Sequence, residues 1–220
     1  MPFDDATDLV DQQYGDFEDR APSFAEQDLW VGGINRCEQS ADALITSLLE
    51  TDQTLDDARQ VRLYLAFFKR PPDPDGFAFW QNRLDQGYGL IRAADHFANS
   101  SEFIRTYGSL DNEAFIELVY QNVLDRPSDP NGKAFWLNRL NNRTANRGTV
   151  MINFSESSEN VRLRTNAVQV FRMWRGMRDR FPSSNEFFGL LDPITNQGET
   201  LQDAANDIRT SPGYADRVNP

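Results

Sequence analysis

The chain is 220 residues long, 39% hydrophobic and 25% charged, enough to bury a sizeable core and too apolar for a disordered polymer. Its net charge is −12, cysteine and histidine occur once each, and no apolar run approaches the roughly 18–20 residues of a membrane span. These features exclude an internal disulfide, a thiolate or histidine metal cluster and membrane insertion.

The negative charge is concentrated at the start. Residues 1–58 hold fifteen acids against Arg20 and Arg36, a net of −13, while residues 59–220 carry a net of +1. Such a segment repels nucleic acid and anionic membranes, so neither is expected as a partner. The first twenty residues include Asp4, Asp5, Asp8, Asp11, Asp16, Glu18 and Asp19, unlike the basic start and apolar middle of a signal peptide. Cys37 reads as a buried, inert thiol ahead of a reactive one. His96 reads as a surface or packing residue beside apolar helical positions.

From residue 56 the helical pattern is plain. Asp56 and Asp57 open a helix whose Val61, Tyr64, Leu65 and Phe68 recur at spacings of three and four. Lys69 and Arg70 place cations at its negative end, and the prolines that follow stop it. Asp73 then caps a second helix, with Pro74 at its first position, running through Phe77, Trp80 and Leu84 to about Gly87. A third helix spans about Leu90 to Ala98, with Leu90, Ala94 and Phe97 inward, and Ser100 caps a short fourth that ends at Gly108. The plan recurs from Asp111: a helix with Phe115, Leu118, Val119 and Val123, a second opened by Asp129-Pro130, and a third over Val150 to Phe154. The last stretch predicts helices over Val168 to Arg180, Ser184 to Leu191, Leu201 to Ile208 and Ser211 to Tyr214.

The recurrence is literal at its centre. Arg70 to Trp80 reads Arg-Pro-Pro-Asp-Pro-Asp-Gly-Phe-Ala-Phe-Trp, and Arg126 to Trp136 reads Arg-Pro-Ser-Asp-Pro-Asn-Gly-Lys-Ala-Phe-Trp. Tyr14, Tyr64 and Tyr120 each stand 16 residues before Trp30, Trp80 and Trp136. Near the end Arg180 supplies the arginine, Trp174 takes the tyrosine's place and Leu190 the tryptophan's. Downstream, Leu48, Phe97, Phe154 and Ile208 recur, each followed three residues later by Thr51, Ser100, Ser157 and Ser211. The expected fold is all-α: four tandem repeats of about 50–57 residues, each of three to four short helices, packed as a compact array over 1–55, 56–110, 111–165 and 166–220. The outer two are diverged.

The Arg-x-x-Asp-Pro-[Asp/Asn]-Gly-x-Ala-Phe-Trp segment, with its upstream tyrosine and downstream Ser-Ser-Glu, resembles the bacterial repeat family catalogued as domain of unknown function 4214. It is more distantly similar to the phycobilisome linker domain. The likeness is strong over residues 56–160 and weak outside, where Ser23-Phe24-Ala25-Glu26 and Ser183-Ser184-Asn185-Glu186 replace the Asp-Pro-x-Gly loop. It implies a helical module of secreted, cell-surface and matrix proteins, with no catalytic residues and no agreed ligand.

Asp73, Asp75, Asp129 and Asn131 are the candidate calcium ligands. An EF-hand register set by Gly76 or Gly132 puts Pro71 and Asn82, or Pro127 and Asn138, where carboxylates are needed. N-caps followed by proline explain the same residues, so no cofactor is expected and calcium is the alternative. Trp30, Trp80 and Trp136 read as core anchors, with a sugar-stacking platform as the alternative. Arg20, Arg70, Arg126 and Arg180 read as internal, capping helix carbonyls or pairing with loop acids. Arg172, Arg175 and Arg178, three apart on one helix side, read as a dock for an acidic surface, that of another copy included. Nucleophile elbows, phosphate loops and zinc-protease helices are missing. The expectation is a non-catalytic structural or interaction protein with a protein partner, itself included as homo-oligomer or filament. A polysaccharide-binding module is the alternative, and a carboxylate hydrolase ranks last. The family likeness places it outside the cell or on its surface, with the cytoplasm as alternative.

Overall fold

The computed structural model describes residue 3, residues 5–49 and residues 55–218, without the side chains of residues 55 and 56. The expected cap at Thr51 and the side chain of Asp56 lie outside the described residues. Among the described residues all regular structure is α-helical. The helices are α1 (Ala6–Glu18), α2 (Phe24–Asn35), α3 (Ala41–Leu48), α4 (Leu55–Phe68), α5 (Pro74–Asp85), α6 (Leu90–Ala98), α7 (Ser101–Tyr107), α8 (Asn112–Leu124), α9 (Pro130–Asn141), α10 (Arg147–Ser155), α11 (Ser158–Leu163), α12 (Thr165–Arg178), α13 (Ser184–Asn196), α14 (Leu201–Thr210) and α15 (Pro212–Val218).

The caps are where the sequence puts them. Asp73 and Asp129 accept from the Gly76 and Gly132 N–H groups, each with proline at the first helical turn. Ser100, Asp111 and Ser157 cap α7, α8 and α11. Ser23 and Ser183 form capping boxes with Glu26 and Glu186, each glutamate returning to the serine N–H. The helices preceding the arginines stop on residues in the left-handed conformation: Asp19, Lys69, Asp125 and Asp179, with φ of 51°, 53°, 52° and 48°.

Contacts divide the chain into two compact units, one of residues 1–54 with 166–220 and one of residues 55–165. In the second unit, α6 and α10 form the most extensive helix pair, with α4 and α8 packed on α10 and on each other. Phe67, Phe103, Phe115, Ile116, Val123 and Val150 are fully or almost fully buried there, and Trp80 joins them. Gly148 sits at the closest approach, where a Cβ would run into the Ile91 carbonyl and the Asp95 backbone. In the first unit, α3 packs on α14 and α1 on α2 and α3. Its core gathers Ile45, Leu49, Met173, Met177, Ile208 and Tyr214 from both ends of the chain. A second cluster holds Val10, Tyr14, Trp30, Leu44 and Leu48. The Asp42 carboxylate accepts from Arg209 at 2.9 Å across the α3–α14 pair, and Arg217 binds Asp16.

Four expectations are corrected. Cys37 is exposed, because it sits in the turn after α2 with φ 58°, off the helix face that reaches the core. Trp136, expected as a core anchor, is only half-buried. Helix α13 continues past Leu191 and through Pro193, with Ile194 packed on the core to hold the last turn. Helices α10, α14 and α15 also outrun their predicted spans, and α12 is displaced, starting at Thr165 and ending at Arg178 rather than Arg180.

Candidate functional site

Four arginines repeat one arrangement. The left-handed residue turns the chain so that the guanidinium lies over an aromatic ring six residues back: Arg20 over Tyr14 at 5.0 Å, Arg70 over Tyr64 at 5.2 Å, Arg126 over Tyr120 at 5.2 Å and Arg180 over Trp174 at 5.0 Å. Each then reaches a glutamate. Arg70 and Arg126 pair with Glu102 and Glu159 of the Ser-Ser-Glu segments, at 2.9 and 3.0 Å. Arg20 and Arg180 pair with Glu26 and Glu186 of the capping boxes. Where the Asp-Pro-x-Gly loop is replaced, the local glutamate takes over from the distant one.

The electrostatics follow from these pairs. The Arg180 guanidinium, with the Ser183 N–H and hydroxyl, outweighs burial and draws the Glu186 carboxyl down from 4.5 to about 2. Arg20 holds Glu26 far below its usual range in the same way. The Asp129 carboxyl is lowered by the Gly132 N–H and then by the Tyr120 hydroxyl. Burial, then Asp129, pushes Tyr120 up to about 12. At Asp73 burial works upward, but the Gly76 N–H and Arg70 prevail and its carboxyl is lowered. The charged groups of each clamp are engaged by one another, so the clamp holds structure.

The other candidates fall as follows. Both oxygens of Asp73 are engaged, one by Gly76 and the other by Arg70, and those of Asp129 by Gly132 and Tyr120. Asp75 and Asn131 are exposed in their helices' first turns. Among the described residues no group of three His, Cys, Asp or Glu side chains is placed to hold a metal. Trp30 and Trp80 are buried, at 9% and 6% exposure. His96 is exposed and meets Trp80 edge-on. Arg172, Arg175 and Arg178 are half-buried and engaged within their own unit. Arg172 donates to the Leu49 carbonyl, Arg175 stacks on Phe181, and Arg178 donates to Ser211 at 2.9 Å.

The surface carries a second repeated feature, which the sequence reading missed. The residue before Trp30, Trp80 and Trp136 is large, apolar and exposed: Leu29 (54%), Phe79 (48%) and Phe135 (52%). Arg83 lies over Phe79 at 4.6 Å and Arg139 over Phe135 at 4.9 Å, each one turn further along the helix. Ile104 and Val161 are likewise exposed at matching places on α7 and α11. The Phe-x-x-x-Arg spacing was the available signal, since a residue beside a buried tryptophan is rotated about 100° off its face.

Between the end of α5 and the start of α6 lies an open groove. Arg83 bridges Phe79 and Tyr88, at 4.6 and 5.1 Å from their ring centres, and Arg92 lies 5.5 Å over Tyr88. Gln86 donates to Asn82 at 2.7 Å along one wall. Among the described residues no carboxylate pairs with Arg83 or Arg92.

A family model described as "Domain of unknown function (DUF4214)" matches residues 94–164. No curated protein and no solved structure matches the chain. The matched residues run from α6 to α11 and include the Arg126 clamp, its Glu159 partner and the exposed Phe135. Residues 94–164 thus match the family that the sequence resembles.

Proposed function

We propose that this protein is a non-catalytic helical module that assembles with, or decorates, a bacterial surface, matrix or other extracellular structure through protein–protein contacts. The observation that carries this reading is the recurrence of exposed apolar side chains at equivalent places, Leu29, Phe79 and Phe135 before Trp30, Trp80 and Trp136 and Ile104 with Val161 further on. Repetition of a buried residue is explained by the core it fills. Repetition of an exposed phenylalanine under an arginine needs a different reason, and aromatic and arginine side chains are what binding hot spots use. The clamps support a non-catalytic role, since their charges are spent on one another. The extracellular setting rests on the family likeness.

The test is affinity capture with the tagged full chain from the envelope and medium of the producing bacterium, identified by mass spectrometry after cross-linking. A partner recovered by the wild type and lost with Phe79→Ser/Phe135→Ser is the expected result. If no partner is recovered, or if the double variant recovers it equally, the reading fails.

A further inference from the structure

Two surface features occur once, outside the repeated plan. The first is the Tyr88–Arg92 side of the groove: the corresponding places after Trp136 hold Thr144 and Thr149. The second is Phe24, the first residue of α2, which is 87% exposed and corresponds to Pro74 and Pro130. Asp28 follows one turn later on the same helix side. Gln27, beside it, donates to Asp11 of α1 at 2.9 Å, which brings exposed Asp11 and Asp8 alongside. Phe24 is therefore an aromatic knob flanked by carboxylates.

We propose that the groove of Phe79, Arg83, Tyr88 and Arg92 is the seat for Phe24 and its flanking carboxylates on a second copy of the chain. The match is chemical on both counts. A phenyl ring meets a groove built on two aromatic rings, and Asp8, Asp11 and Asp28 meet guanidiniums that have no carboxylate partner among the described residues. Guanidiniums held over the rings at 4.6, 5.1 and 5.5 Å keep N–H donors for the bidentate pairing that carboxylates use. Carboxylates, rather than the neutral hydroxyls of a sugar, are the acceptors that such a pair of cations selects. Charge supports this choice, since residues 1–58 carry a net of −13. Knob and groove are different patches, so every copy offers both halves of the contact, and copies can join reciprocally as a pair or head-to-tail into rings and chains. This deepens the interaction reading above, on which it rests.

The experiment is sedimentation velocity of the full chain over rising concentration, at low salt and again at about 0.5 M NaCl, where exposed charges are screened. Expected are species larger than a monomer that shrink in salt, with association weakened at least about tenfold by Phe24→Ala or by Arg83→Ala/Arg92→Ala. Both sites are on the surface, and circular dichroism checks that each variant keeps its helix content. Mixing the two variants should give a heterodimer and nothing longer, because one knob and one groove survive in the pair. A wild type that stays monomeric throughout overturns the proposal, as does association indifferent to both variants. Polygalacturonate binding by a monomer, abolished by Arg83→Ala/Arg92→Ala, would also overturn it and give the groove to an acidic glycan. Any of these results leaves capture of a different partner protein untouched, so the two readings fail separately.

Discussion

At Gly132 the space for one methyl group is already filled. A Cβ there would collide with the Tyr120 hydroxyl, which binds Asp129 at 3.1 Å, and Gly76 stands in the same relation to Tyr64. Gly132→Ala is expected to cost about 1–3 kcal/mol, read from urea unfolding, because tyrosine and loop cannot both keep their places. A second expectation concerns pH. The Glu186 carboxyl is lowered in the folded state, so its pairing with Arg180 contributes above its unfolded value of 4.5 and is lost as pH falls toward about 2. Wild type should therefore melt above Glu186→Gln near neutrality, and the gap should close between pH 4.5 and 2. A gap unchanged at pH 2 would show that the pair does not set the difference. How much of this was legible depended on distance along the chain. The Ser-x-x-Glu boxes that hold Arg20 and Arg180 are local patterns. Glu102 and Glu159 lie 32 and 33 residues beyond their arginines, a separation no propensity or period registers. Cys37 was misplaced for a related reason, since its left-handed backbone is a property of the turn rather than of the residue type.

At the scale of elements, helix starts were readable where a cap marked them, as at Asp73, Ser100, Asp111 and Asp129, and misplaced at α10 and α12, which begin at Arg147 and Thr165. Ends were less so. Pro193 signals a stop, yet tertiary packing of Ile194 carries α13 through it. The buried face was readable at Trp80, whereas Trp136, read as a core anchor in the same way, is only half-buried. The α6–α10 pair depends on Gly148, whose N–H also approaches the Asp95 carboxylate at 3.3 Å. Gly148→Ala is expected to push these helices apart and lower stability by about 1–3 kcal/mol, with the loss of ordered methyl signals around Val150 and Ala94 as the structural readout. If the variant melts like wild type, the close approach is not what holds the pair.

For the whole molecule, the two units make a prediction about fragments. A chain of residues 55–165 contains every helix of its unit and should show dispersed amide signals and one cooperative urea transition. A chain of residues 94–164, the stretch that matches the family model, lacks α4 and α5 and with them Tyr64, Phe67 and Trp80. It should not fold cooperatively, and a sharp transition from it would show that those aromatics are dispensable. No helix among the described residues is long and apolar enough to cross a membrane. The all-helical class was legible because every stretch kept a period near 3.6. The grouping of residues 1–54 with 166–220 was not, because it joins parts separated by more than a hundred residues.

That grouping has a consequence for the order of events on the ribosome. Synthesis proceeds from the N-terminus, so residues 55–165 are complete and free to fold before α12 and α14 exist. Meanwhile Leu9, Val10, Tyr14 and Leu44 belong to a nascent segment still lacking half of its eventual interior. The fifteen acids of residues 1–58 give that waiting segment a like-charge repulsion that disfavours its self-association.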